Sequence, residues 1–381
     1  MKVAVDLTYN PYGGSYSQIE NILKFLQDNE EHNYIFYCTK LNFQEFKQYQ
    51  KKHIIFKVSK VSSLSRFARI IWTQFILPIQ VLFDDVSVLF CPGNFSPVFS
   101  YTKKVQWIGT VGPFEKKFYK GFSFIEKINL YINKYVMIAS ALTSTHVIFE
   151  SKYTQELFIN NYNFNGSRSS VITLGRDEFY SSKLSSNSGV TKDYRDKKFL
   201  LVVSHLYPYK NIEILFHALK KINDPELKCL IAGKFHTKSY FHKLTKLSNN
   251  LSLNDKVVFL GGVNRRELKD LYSNCEMLVF TSPFENFAYT LVEAMSCGTA
   301  IIAAEATAMP ETCKNAALYF DPYSPDELSQ QINYFLSDKS LLKEYKNRAL
   351  KRAQEINTYQ EANLKTLQIV QSLMEDKKES L

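Results

Sequence analysis

The sequence predicts an α/β chain with two parallel, doubly wound sheets. Three observations carry this expectation. Short runs rich in β-branched and aromatic residues alternate with longer helical stretches through most of the chain. The alternation halts at one serine-rich, charged stretch and then resumes. The length of 381 residues exceeds what one hydrophobic core commonly supports. Repetition of this kind implies two Rossmann-like domains facing one another across a cleft.

In chain order, the candidate strands of the first domain are residues 2–7, 34–38, 54–58, 87–91, 105–108, 146–149 and 171–174, with helices over 15–26, 62–83 and 124–142 between them. The stretch 181–197, SSKLSSNSGVTKDYRDK, reads as an exposed linker. A second series follows at 199–204, 227–232, 257–260, 277–280 and 299–303, and the tail from Ser340 reads as charged amphipathic helices. The expected domains are therefore 1–180, a linker at 181–197, and 198–358, with 359–381 as a terminal helix. The apolar run 70–83 is too short to span a membrane and is interrupted by Gln74, Pro78 and Gln80, so a buried helix is expected.

The N-terminus MKVAVDLTYN has only a short apolar run before polar residues, unlike a secretory signal, and a cytoplasmic chain is expected. Six cysteines lie scattered without a C-x-x-C pair, which points to reduced, mostly buried thiols rather than a disulfide framework or a zinc site. The net charge of +10 admits nucleic acid, an anionic membrane or phosphorylated substrates as partners. Between Tyr101 and Lys134, seven lysines (Lys103, Lys104, Lys116, Lys117, Lys120, Lys127, Lys134) are interleaved with Phe114, Phe118, Tyr119, Phe122 and Phe124. This patch suits either a solvated helix face with ordinary core aromatics or the headgroup layer of a membrane. No RNA-binding signature accompanies the charge, so no nucleic-acid partner is expected.

The most informative stretch is 278–304, LVFTSPFENFAYTLVEAMSCGTAIIAA. A buried strand at 277–280 runs into an irregular turn, a helix starts at Thr290, and a second buried strand follows. In open α/β sheets, ligands bind beyond the carboxyl ends of strands, where helix N-termini receive anions. Glu285 lies in the turn and Glu293 in the helix, so two carboxylates can face one ligand. For Glu293 alone, a capping box with Thr290 is the plain structural alternative.

Taken whole, this string resembles the donor-site signature of the retaining GT-B glycosyltransferases of family four: Glu285, Glu293, Ala294, Met295, Gly298 and the strand 301–303 stand at the signature positions. The resemblance extends over nearly the whole chain. Tyr12, Gly13, Gly14 and Ser15 resemble the family's glycine loop, for which a tight turn without a ligand is the alternative reading. Residues 84–94, DDVSVLFCPGN, resemble its substrate-facing strand and loop, and 202–219, VVSHLYPYKNIEILFHAL, its phosphate-binding strand, loop and helix. Lys210 matches the family lysine, whereas His205 stands where an arginine is usual. Asn286 and Ala288 replace small glycines, and Gly109–Phe114 lacks a histidine that many relatives carry after the preceding strand.

The resemblance implies a retaining, metal-independent hexosyltransferase. Lys210 would stabilise the leaving diphosphate and Glu285 would hold the donor sugar. Glu293 would hold the ribose, with His205, Gly14 and the backbone at Phe287, Ala288, Tyr289 and Thr290 completing the donor site. It further implies a nucleotide-sugar donor with no separate cofactor, a glycan or lipid-linked acceptor, and a place at the inner face of the cytoplasmic membrane. The alternative is a relative that binds a nucleotide sugar or a partner without turnover.

Overall fold

The computed structural model describes residues 1–9, 11, 14–60, 66–181, 189–194 and 197–375. The chain divides into two compact units. The first holds Met1–Phe114, Ser123–Gly175 and Asn357–Leu381, and the second Glu115–Phe122 and Arg176–Ile356.

The first unit is built on seven strands, β1 (Lys2–Leu7), β2 (Asn33–Cys38), β3 (Ile54–Val58), β4 (Val88–Cys91), β5 (Lys103–Ile108), β6 (His146–Phe149) and β7 (Ser169–Val171). Their order is β3-β2-β1-β4-β5-β6-β7, and every pairing is parallel. Helical connections cover both faces of such a sheet, so an inner strand is apolar throughout; all four residues of β4, Val-Leu-Phe-Cys, are buried. On one face, Trp72, Leu77 and Val81 pack with Ala4, Ile35 and Leu89. Met137, Ile138 and Ala141 of the helix Phe124–Thr143 pack with Ile108, Val147 and Phe149. The last helix, Tyr359–Glu375, packs against the helix Gly14–Gln27 and β4.

The stretch expected as one buried helix at 62–83 differs in detail. Residues 61–65 lie outside the described residues. The rest forms helix Arg66–Ile71, a π turn over Trp72–Ile76, and helix Leu77–Phe83. Pro78 has no N–H to return to Gln74, and the wider turn instead bonds the Leu77 N–H to the Trp72 carbonyl. Phe75, Ile79, Leu82 and Phe83 are exposed, so only one side of this run is core.

The second unit has six strands, β8 (Phe199–Val203), β9 (Lys228–Ala232), β10 (Val257–Gly261), β11 (Met277–Phe280), β12 (Ala300–Ala304) and β13 (Ala317–Phe320). They are ordered β10-β9-β8-β11-β12-β13, again all parallel. The four-residue β13, at the sheet edge, is too short to show a period in the sequence. A core of Leu200, Val202, Leu215, Phe216, Ile231, Ile302 and Phe335 fills one side. Residues 182–188 and 195–196 of the expected linker lie outside the described residues. Just before residue 182, the helix Glu178–Ser181 packs on the helix Tyr289–Ser296, and Lys269 Nζ donates to the Phe179 carbonyl at 2.8 Å.

The basic and aromatic stretch at 101–134 is divided by the fold. Phe114 is buried in the core of the first unit. Residues Glu115–Phe122 belong to the second unit, where Phe118 stands edge-on to Phe284 at 5.6 Å and lies 5.2 Å from Tyr209. Lys117 Nζ sits 3.9 Å over the Tyr323 ring. All six cysteines are free thiols and five are buried.

Candidate active site

In each sheet the chain leaves the first strand in one direction and later returns to build in the other. The seam between the two runs is where loops diverge and open a crevice. In the second unit the seam lies between β8 and β11. Lys210 comes from the loop after β8 and Glu285 from the loop after β11, and the two form an ion pair. Their side chains are 16% and 17% exposed, so the pair is neither solvated freely nor sealed.

The surroundings hold both members in place. Ser282 Oγ donates to Glu285 Oε1 at 2.7 Å. Thr307, in left-handed backbone at the end of β12, donates its hydroxyl to the Glu285 carbonyl at 2.8 Å and accepts from the Glu285 N–H at 3.2 Å. Thr281 Oγ1 donates to the Lys210 carbonyl at 2.7 Å, tying the two loops together. The Lys210 ammonium also lies 5.0 Å over the Tyr209 ring. Burial by itself would lower the Lys210 pKa, but the Glu285 carboxylate outweighs it and pushes the value up to about 12. Lys210 is therefore a fixed cation at neutral pH.

His205 follows β8. Its Nδ1 accepts the Lys234 N–H at 3.2 Å, which places the ring proton on Nε2. Burial lowers its pKa, and the nearby Lys210 and Lys234 charges act in the same direction against the Lys234 hydrogen bond. The ring is a neutral donor here, not a second cation. This placement depends on Gly233, whose φ of +153° and approach to Ser204 leave no room for a side chain: a Cβ there would lie 1.9 Å from the Ser204 carbonyl oxygen.

The helix that follows Glu285 runs from Tyr289 to Ser296, with Ala288 at its N-cap. It starts one residue before the expected Thr290. No described side chain caps it, so the Thr290–Glu293 capping box is absent. Phe287 and Ala288 are buried and hold the backbone of this turn, with Phe287 edge-on to Tyr289 at 5.6 Å. Glu293 instead accepts a hydrogen bond from Tyr272 Oη at 3.0 Å. Burial pushes its pKa up to about 7, opposed by hydrogen bonds from Tyr272 and Tyr180 and by the Arg265 charge.

The second unit thus gathers Lys210, Glu285, His205, Glu293 and the 287–290 turn around the carboxyl end of its sheet. Gly14 belongs to the first unit, where it opens the helix Gly14–Gln27. Tyr12 and Gly13 lie outside the described residues. Sequence reasoning did not find Tyr209, Ser282, Tyr272 or Thr307. Tyr209 and Ser282 are chain neighbours of Lys210 and Glu285 that carry no signature of their own, whereas Tyr272 and Thr307 reach Glu293 and Glu285 from 21 and 22 residues away.

A family model described as Glycosyl transferases group 1 matches residues 186–352. An uncharacterized glycosyltransferase of Methanocaldococcus jannaschii is 31% identical over 183 residues, which is 47% of this chain and 46% of that protein. The O-antigen chain mannosyltransferase RfbU of Salmonella typhimurium is 29% identical over 218 residues, 57% of this chain and 56% of that protein. The chain thus spans about half the length of the curated relatives it matches. The crystal structure of Anabaena HepE in complex with UDP matches with a TM-score of 0.76 at 19% identity, over 97% of this chain and 99% of that one. The family model lies on the unit that carries the Lys210–Glu285 pair, and the chain shares the GT-B fold of these structures.

Proposed function

We propose that this protein transfers a hexose from a nucleotide-diphosphate sugar to a hydroxyl of a glycan or lipid-linked oligosaccharide, with retention of anomeric configuration. The observation that carries this reading is the Lys210–Glu285 pair at the β8/β11 seam, beside a helix N-terminus that no described side chain caps.

A diphosphate entering the seam offers Lys210 a stronger anionic partner than Glu285, and the first turn of the helix at Tyr289 and Thr290 offers N–H groups to the same oxygens. Glu285, released from the ion pair, then takes hydroxyls of the donor sugar. As the bond from sugar to phosphate breaks, negative charge grows on the leaving oxygens, and Lys210 stabilises it at a fixed distance from the reacting centre. The departing phosphate accepts the proton of the acceptor hydroxyl on the same face, so the protein itself supplies position and charge. No metal has a role in this scheme. The neutral His205 contributes a hydrogen bond from Nε2, and Glu293 accepts hydroxyls of the ribose.

For the acceptor, the helix Phe124–Thr143 carries an outward face with Phe124, Ile125, Ile128, Tyr131, Ile132 and Tyr135 exposed, flanked by Lys127 and Lys134. No described helix is long and apolar enough to cross a membrane. A face of this composition suits adsorption to an anionic leaflet, where a lipid-linked acceptor resides.

The test is calorimetric titration with UDP-, GDP- and ADP-sugars, with Lys210→Ala as control. Because HepE of Anabaena was solved with UDP, UDP-sugars come first. Saturable binding that the variant loses supports the donor site. Donor binding with neither transfer nor hydrolysis favours the non-catalytic reading, to which the neutral His205 lends weight.

A further inference from the structure

The segment Glu115–Phe122 belongs to the second unit, although the chain on either side of it, β5 and the helix Phe124–Thr143, belongs to the first. It is a short loop built around one helical turn, Lys116–Tyr119. The turn satisfies N–H groups within itself: that of Phe118 donates to the Glu115 carbonyl at 3.1 Å and that of Lys120 to the Lys117 carbonyl at 3.2 Å. Its side chains are then turned to the second unit. Lys117 Nζ lies over the Tyr323 ring. Gly121, at φ +94°, brings the chain against Pro208, where a Cβ on Gly121 would stand 3.4 Å from the Pro208 Cβ. Asn211 Nδ2 donates to the Pro322 carbonyl at 2.6 Å, so the two loops that the segment touches are themselves joined.

Phe118 is the centre of this contact, with 8% of its surface exposed. Its ring lies 5.2 Å from that of Tyr209 and 5.6 Å from that of Phe284, edge-on to the latter at 84°. Tyr209 directly precedes Lys210, and Phe284 directly precedes Glu285. One ring therefore packs on the immediate neighbours of both members of the ion pair, which come from the ends of different strands. Rings at this spacing attract one another beyond the area they bury. The Tyr209 ring in turn lies 5.0 Å from the Lys210 ammonium, so a fixed ring fixes the cation.

We propose that Phe118 is a positioning residue of the donor site: it brackets Tyr209 and Phe284 so that Lys210 and Glu285 keep their places when an entering diphosphate breaks their ion pair. That pair ties the two loops only until Lys210 is claimed by phosphate. The Thr281 bond to the Lys210 carbonyl then still holds the main chain, and the Phe118 ring still holds the aromatic neighbours. Charge stabilisation depends on a cation that does not move as the phosphate charge grows, which is what the bracket secures. The inference rests on the donor-site reading of Lys210 and Glu285, and it adds to that site a side chain supplied by the segment between β5 and the helix Phe124–Thr143.

The experiment is calorimetric titration of the full chain with UDP and UMP, and with GDP and GMP. The monophosphates lack the terminal phosphate that Lys210 would hold. Phe118→Ala should raise the Kd of the diphosphate about tenfold and leave that of the monophosphate within about twofold of the wild type. Phe118→Leu refills much of the space against both rings and should raise the diphosphate Kd only about threefold; it carries the same comparison if the alanine variant fails to fold. Lys210→Ala, as the reference, should abolish the preference for diphosphate over monophosphate.

Diphosphate binding by the Phe118 variants at wild-type strength would overturn the bracket and leave the donor reading intact. Equal weakening of diphosphate and monophosphate would overturn it too, by giving Phe118 a role in the fold alone. A wild type that binds neither UDP nor GDP would overturn the donor reading, and the bracket with it.

Discussion

The two sheets place their loops by the same rule and equip them with opposite chemistry. At the β8/β11 seam a lysine held as a cation meets a carboxylate, next to a helix N-terminus that no described side chain caps. At the carboxyl ends of β1 and β6 lie two buried carboxylates, Asp6 and Glu150, with a buried phenol, Tyr9, that has no hydrogen-bond partner among the described residues. The first arrangement has latent positive charge that an entering diphosphate can claim. The second buries two acidic side chains, Asp6 and Glu150, at 1% and 5% exposure. Topology thus fixes where a ligand binds in such a fold, and the residues at the strand ends fix which ligand.

The comparison breaks most readily at Lys210. Lys210→Ala should reduce turnover by ~10²-fold or more, the scale of losing one charge-stabilising contact, and steady-state transfer assays read it directly. Glu285→Gln should fall in the same range. Near-wild-type turnover in both variants would remove the donor assignment from this seam.

Gly233→Ala tests whether the β8 and β9 loops must close together to build that seam. A Cβ 1.9 Å from a backbone oxygen, at φ +153°, should destabilise the protein by about 3 kcal/mol or more. Chemical denaturation measures the loss, and an unchanged midpoint would show that the loops relax freely.

Glu293 sharpens the comparison through pH. Its native pKa of about 7 lies above the ordinary carboxylate value of 4.5, so between these values the folded chain holds a proton that the unfolded chain has released. Stability should therefore fall as pH rises from about 4.5 to 7, by about 1–3 kcal/mol from this group. Glu293→Gln should remove that slope. Donor affinity should move the opposite way, because only the ionised carboxylate accepts two ribose hydroxyls, so the donor Kd should drop as pH passes 7. Affinity flat across this range would place the ribose elsewhere.

The smallest expected effect is at the outward helix of the first unit. Lys127→Glu together with Lys134→Glu should weaken flotation with anionic vesicles, by about 1 kcal/mol for each lysine removed, and leave transfer to a soluble acceptor unchanged. Equal binding to anionic and neutral vesicles would make this face something other than a membrane contact.

Much of this architecture was legible in the sequence. The motif from Met277 to Ala304 maps onto strand, turn, helix and strand, and Gly298 ends its helix in left-handed backbone, at φ +72°, just where the chain turns into β12. Lys210 and Glu285 were identified from their own local patterns. That they touch was not visible, because 75 residues separate them. The segment 115–122 and the helix after it allowed two readings, and burial favours the one with ordinary core aromatics: Phe118 and Tyr119 are buried in the second unit, and the helix face is exposed. Composition alone does not reveal which side of a fold a residue faces.

By itself, the sequence determined the alternation of strands and helices, because the periods of side-chain burial along a strand and along a helix are local properties of the backbone. It also determined the strand, turn, helix and strand of 277–304, whose parts lie within one continuous stretch. The tertiary structure alone decided the pairing of Lys210 with Glu285, the occupation of the space over Gly109 by Glu150, and the raised pKa of Glu293. Each depends on which strand ends lie side by side and on how much water is excluded there, and both follow from strand order and packing across the sheet rather than from neighbours in the chain.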